Sequence, residues 1–319
     1  MALRTSNLAK LPPELIINIA EFLPPIAAIC FSLCCGPIYS LLGIRKLYRD
    51  KENFDTIELL EVLERDLPDY IVCYYCKRFH AIKYAKKHIH SYKNLYGLVS
   101  PSPCWMANVY DVERIDPYFC FTVFQMAMKR YRQGADFSPI LKLMVFEGGV
   151  YEAPRWDVIH RVTVLYRIVD GSLLVRKQVV FQVDHASDMP FSSLPCFYTC
   201  EHLRGYRYGV AGTVGFTYRT FENWGDLMQC KFCATEFQID SSEQGDAIVF
   251  TRWQNLGEGK PRLNLQWQCR AEGKYCDWER AVFRAGSICS AFEGGEKFDV
   301  DVDSLRLKNW KGWMKQWRG

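Results

Sequence analysis

Apolar residues recur at helical spacing early in the chain and turn to alternation later. Leu15, Ile16, Ile19, Ala20 and Leu23 fall on one face of a helix. Pro12 or Pro13 suits its first turn, where a missing N–H costs nothing, and Glu14 suits the positive end of the helix dipole. Pro24-Pro25 stops it. A second apolar segment, 26–35, runs to Gly36-Pro37, and a third begins with Ile38, Tyr39, Leu41 and Leu42. Three such short helices bury too little to stand alone. The piece must lean on the rest of the chain or on a partner.

Further along, Asp55 and Glu58 have the spacing of a capping box for a helix carrying Ile57, Leu60 and Leu63, which Leu67-Pro68 ends. Residues 118–132 read as a helix with Gly134 as its cap, and 140–146 as another short element. From Val158 the period changes. Residues 158–169 are rich in β-branched side chains, Asp170-Gly171 suits a two-residue type I′ turn, and 172–183 is the return strand. Residues 212–221 and 229–239 read as further strands. A polar turn at 240–246 leads into 247–253. Near the end, Trp310, Trp313, Met314 and Trp317 share a helical face within 302–317 and are expected to dock on the sheet. The pattern predicts an α+β chain. An N-terminal three-helix module at 1–50 precedes a mostly antiparallel β-sheet region with a few helices at 51–319.

The chain has 319 residues, and 49% of them are hydrophobic, so a sizeable core is expected and disorder is not. A net charge of +4 is too mild to argue for nucleic acid. No charge interrupts 22–44, which raises the alternative of a membrane span, but Pro24, Pro25, Gly36 and Pro37 divide that run. Glu14 and Glu21 interrupt any secretory signal. The 14 cysteines are then core thiols or metal ligands in a reducing compartment.

Residues 11–43 resemble an F-box. Leu11, Pro12, Glu14 and Leu15 match that family's opening, Leu23-Pro24 the end of its first helix, and 29–42 its later helices. The whole chain also looks like the F-box proteins of ascomycete fungi. Cys35-Gly36-Pro37 stands where a basic pair is common in the family. The resemblance implies a substrate receptor of a cullin-type (SCF) ubiquitin ligase. Leu11, Pro12, Leu15, Ile16, Ile19, Leu23 and Pro24 would enter a groove of the Skp-type adaptor, which links to a cullin scaffold, and 51–319 would hold an unknown target protein. It implies no bond chemistry and a cytoplasmic or nuclear location. Nucleic acid and membrane are not expected as partners.

Cys73-Tyr-Tyr-Cys76 and Cys230-Lys-Phe-Cys233 are the most chemical feature. Two such pairs complete a tetrahedral site for structural zinc, and here one ion held by Cys73, Cys76, Cys230 and Cys233 would staple the helical segment to the sheet. His80, Cys200, His202 and Cys196 compete as ligands. The alternative is a set of reduced, buried cysteines. His88 and His90 stand too close in sequence for a zinc finger with Cys73 and Cys76, and Cys73 lacks the βαβ setting of a redox motif. The basic run 77–93 reads as a solvated face. Gly209, Gly212 and Gly215 do not make a dinucleotide fingerprint, and no nucleophile elbow appears. The competing functional reading is a zinc-stapled protein- or RNA-binding module with no ligase role.

Overall fold

The computed structural model describes residues 7–43, 56–74, 76–89, 115, 119–153, 158–182, 199–200, 225–230, 233–259, 283–295, 298 and 301–305. The chain forms two compact units, Met1–Lys83 and Tyr84–Gly319.

The first unit is helical at its start. Helices α1 (Pro13–Phe22), α2 (Pro25–Leu33) and α3 (Gly36–Leu42) each carry proline in the first turn. A residue before proline is pushed out of the helical region. Leu23, ahead of Pro24, is therefore extended at φ −78°, ψ 146° and ends α1. Pro24, ahead of Pro25, is extended at φ −54°, ψ 152° and starts α2. One Pro-Pro doublet thus serves as stop and start. At α3 the extended residue is Cys35 (φ −163°, ψ 157°), and Gly36-Pro37 forms the first turn of that helix. Ile16, Ala20, Ile38 and Leu42 form the core, with Leu11, Ile17, Phe31 and Cys35 packed against it.

Helix α4 (Thr56–Glu64) packs on α2 and on strand β1 (Tyr70–Cys73). Its expected cap, Asp55, lies outside the described residues. β1 pairs antiparallel with β2 (Arg78–Ala81), a hairpin that the sequence pattern did not announce. Glu64 Oε2 accepts the Val72 N–H at 3.2 Å, and the Tyr74 hydroxyl donates to Glu61 Oε1 at 2.8 Å. The helix thereby fixes the strand and the start of its turn.

The second unit is an antiparallel sheet with helices. α5 (Phe121–Arg132) is buried all round from Phe121 to Lys129, and Gly134 (φ 66°) follows its end as expected. The expected element at 140–146 divides into α6 (Ser138–Lys142) and the start of β3 (Phe146–Ala153). β4 (Val158–Val169) and β5 (Ser172–Gln182) make the hairpin read from sequence. Asp170 (φ 47°) and Gly171 (φ 77°) both take positive φ, as a type I′ turn requires. The expected strand at 229–239 is divided between β6 (Met228–Gln229) and β7 (Thr235–Ser241), which pair with each other. β8 (Ala247–Gly257) completes the order β3-β4-β5-β8-β7-β6. The expected strand at 212–221 and the tryptophan-bearing part of 302–317 lie outside the described residues.

Strand β8 is buried on both faces. On one, Trp253 packs with Leu174, Ala234, Ile288, Cys289 and Phe292, which brings in α7 (Ser287–Glu293). On that same face Val249 and Val180 meet Val302 of α8 (Val302–Leu305). Polar side chains clamp α7 to the sheet. Glu236, wholly buried on β7, accepts the Cys289 N–H at 2.7 Å and takes the place of a capping residue. Burial raises its pKa, while N–H groups from Gly286 to Cys289 pull it back down. At the other end Glu293 accepts from the Trp253 indole at 2.8 Å and from Arg176 at 3.1 Å. Arg167 donates to the Phe292 carbonyl. The opposite face of β8 presents Phe250, Arg252 and Gln254.

Candidate functional site

Three arrangements carry chemistry or recognition. The first is the outer edge of the helical unit. Leu15, Ile19 and Phe22 follow one another at helical spacing and are 46%, 37% and 90% exposed. Pro12 and Pro24 are exposed beside them, and Leu11 and Leu23 are half-buried. Ile16 is different. At 8% exposure it turns inward onto Ile38 and Leu42, so this residue of the sequence-predicted docking set serves the unit's own core. Phe22, absent from that set, is the most exposed large apolar side chain of the described residues. Its signal was available: it lies seven residues after Leu15, on the same stripe.

The second arrangement is the β1–β2 hairpin. Cys73 pairs across it with Arg78, and Ile71 with His80. Residues two apart on a strand share a face, and so do residues directly opposite. His80 is therefore on the side of Cys73. Between them the turn carries Cys76, whose Sγ lies 3.1 Å from His80 Nε2. The Lys77 N–H closes the turn onto the Cys73 carbonyl at 2.9 Å, and Lys77 takes φ 51°, rare for a residue with a side chain. The donor atoms of Cys73, Cys76 and His80 all lie within 4.8 Å of one another. Cys73 is buried, while Cys76 and His80 are half-buried.

The third lies in the sheet unit, where Cys200, Cys230 and Cys233 form a buried cluster with the same mutual limit of 4.8 Å. Cys230 N–H donates to the Thr235 carbonyl at 2.9 Å and Thr235 N–H to the Cys233 carbonyl at 2.7 Å, which tie both cysteines to the start of β7. Cys200 comes from a distant segment. The Thr199 carbonyl accepts from Arg252 at 3.3 Å and from Gln254 at 3.1 Å, and Gln254 also donates to Thr235 Oγ1 at 3.2 Å. Thr235 Oγ1 is in turn 3.2 Å from Cys233 Sγ. Buried polar groups of β8 thus seat Cys200 beside Cys230 and Cys233. Hydrogen bonds from Cys230 and Cys233, then burial, hold the Cys200 thiol well above its usual range. Such a trio favours neutral thiols unless a cation compensates.

The Cys73–Cys76 pair therefore gathers His80 within its own unit, and the Cys230–Cys233 pair gathers Cys200 within its own. Both third members are among the competing ligands that the sequence offers. His202 and Cys196 lie outside the described residues. No disulfide joins the described cysteines, and no described helix is long and apolar enough to cross a membrane.

A family model for the F-box domain matches residues 8–50, the stretch that contains α1, α2 and α3. An F-box domain is thus detected at the place where the exposed apolar stripe stands. No curated protein and no solved structure matches the chain.

Proposed function

We propose that this protein is the substrate-receptor subunit of an SCF-type ubiquitin ligase. F-box domains in general bind the Skp adaptor of such ligases, and proteins that carry them are typically adaptors and not enzymes. The observation that supports the reading is the coincidence of that domain with an apolar stripe beyond what the unit's own core uses. Pro12, Leu15, Ile19, Phe22, Leu23 and Pro24 would meet the adaptor, with Leu11 at the edge. Ile16 would hold the helices together behind them. The adaptor would join the receptor to a cullin scaffold, in the cytoplasm or nucleus. The region 51–319 would hold the target protein. The receptor would perform no bond chemistry and would act by raising the local concentration of a target lysine near the charged ubiquitin carrier.

A fungal Skp-type adaptor is the partner to try first. The full chain is co-expressed with it, captured and run on size exclusion beside Leu15→Asp/Phe22→Asp. A one-to-one complex is expected, lost in the double variant while its far-UV circular dichroism is kept. A folded, soluble chain that ignores the adaptor overturns the ligase reading.

A further inference from the structure

We propose that the chain binds two zinc ions, one in each unit. The first is held by Cys73 Sγ, Cys76 Sγ and His80 Nε2, the second by Cys200 Sγ, Cys230 Sγ and Cys233 Sγ. The inference is independent of adaptor binding.

Each donor set suits zinc. Sulfur and imidazole nitrogen are its preferred ligands, and tetrahedral bonds of 2.0–2.3 Å put neighbouring donor atoms about 3.5–3.8 Å apart. The clusters fall within 4.8 Å already, and Cys76 Sγ and His80 Nε2 are at 3.1 Å. Each cluster supplies three of the four tetrahedral positions, and water or one more side chain would take the fourth.

The backbone is shaped for the same task. Main-chain hydrogen bonds anchor the cysteines of both pairs, Lys77 N–H to Cys73 O and Cys230 N–H to Thr235 O. The β1–β2 turn keeps the non-glycine Lys77 at φ 51°. Such a conformation persists where surrounding structure over-determines it, and a cation tying Cys73 and Cys76 to His80 does so. In the sheet unit the third ligand is delivered from far away in sequence by Arg252 and Gln254, both buried. Three thiolates around one divalent cation carry a net negative charge. The guanidinium that grips Thr199, next to Cys200, supplies a positive one. At the hairpin two thiolates and a neutral imidazole balance the cation outright.

The sequence alone suggested one ion shared by Cys73, Cys76, Cys230 and Cys233. The two arrangements differ in stoichiometry, so elemental analysis of the full chain, purified without chelator, separates them. About two zinc per chain is expected. Cys73→Ser/Cys76→Ser and Cys200→Ser/Cys230→Ser should each fall to one. One zinc per chain that either variant abolishes, or none at all, overturns the proposal. These variants can fail to fold, so cobalt loading of the wild-type chain and of His80→Cys provides a second reading. That variant adds a thiolate, and the sulfur-to-cobalt charge-transfer band should grow by about one fifth at unchanged metal content. An unchanged band overturns the hairpin site.

Discussion

Truncating Phe22 and truncating Ile16 should give opposite results, and the pair tests how the apolar residues of α1 are divided between core and partner. Phe22 is 90% exposed, so Phe22→Ala takes almost nothing from the free protein. A phenylalanine presents about 200 Å². Nine-tenths of that, at about 25 cal/mol per Å², sets an upper limit near 4–5 kcal/mol on what adaptor docking can gain there. Full burial of such a side chain is generally worth about 1.5–3 kcal/mol. The expected loss of affinity is therefore roughly 10- to 150-fold. Ile16 is 8% exposed, in contact with Ala20, Ile38 and Leu42. Ile16→Ala should cost about 2–5 kcal/mol of folding stability through lost transfer energy and a cavity.

Titration calorimetry against the purified adaptor, with a circular dichroism melt of each variant, reads both quantities. Phe22→Ala should bind weakly and melt normally. Ile16→Ala should melt lower by roughly ten degrees or more, and its binding should fall only as far as its folded fraction falls. Two results would refute the division. One is wild-type affinity in Phe22→Ala. The other is an Ile16→Ala protein that melts normally but binds poorly, which is what a direct docking role for Ile16 demands.

Three further perturbations test the sheet unit. Glu236→Ala strips the buried acceptor from the start of α7 and should cost about 1–3 kcal/mol, with fast amide exchange across Ser287–Cys289; Glu236→Gln, whose amide oxygen still accepts, should lose less, and equal losses would deny Glu236 this role. Glu293→Ala leaves the Trp253 indole N–H and the mostly buried Arg176 without their shared partner and should cost about 3 kcal/mol in a urea unfolding series; a loss within measurement error would show that the clamp contributes nothing. His160 has a pKa lowered from 6.5 to about 4, first by burial and then by Lys177. Its unfolded form binds the proton first, so the stability from keeping it neutral is complete above pH 6.5 and is lost as pH falls towards 4, by about 3 kcal/mol over that window. The sign is that of a depressed group. His160→Gln should flatten the pH 4–6.5 part of the stability profile, and an unchanged slope would rule out His160 as its source.

What the sequence announced was what depends on neighbours in the chain. The Pro24-Pro25 doublet acts through sterics on the residue before each proline, so helix ends could be read directly. The β4–β5 hairpin was readable because alternation and the Asp170-Gly171 turn are local. By contrast α7 is seven residues long, and its capping group comes from Glu236, far back in the chain. Gly286 and Ser287 are types that helix starts favour, but the N-cap glycine has no side chain to cap with, and the acceptor that caps the helix is remote. The ligand sets divide in the same way. His80 stands four residues after Cys76 and could be named as a competitor from spacing. Cys200 could be named too, but its place beside Cys230 and Cys233 depends on Arg252 and Gln254, whose strand pairing sets their reach. No spacing rule contains that information.

The exposed apolar stripe of α1 poses the subtler case. Leu15, Ile16 and Ile19 are equally apolar, and helical periodicity places them on neighbouring parts of one cylinder. Periodicity says that α1 has an apolar side; it does not say how wide a side its own neighbours can cover. Width is set by packing. α2 and α3 are short, and the core they enclose takes Ile16 and Ala20 of α1, flanked by Ile17. Leu15, Ile19 and Phe22 are left over on the outer edge. A soluble helix gains nothing in its free state from exposing such residues, and an uncovered contiguous stripe is the mark of an interaction surface. The excess of apolar residues over what the core can absorb is the observation on which the proposed docking rests. It became visible only when each side chain of α1 could be assigned to one side or the other.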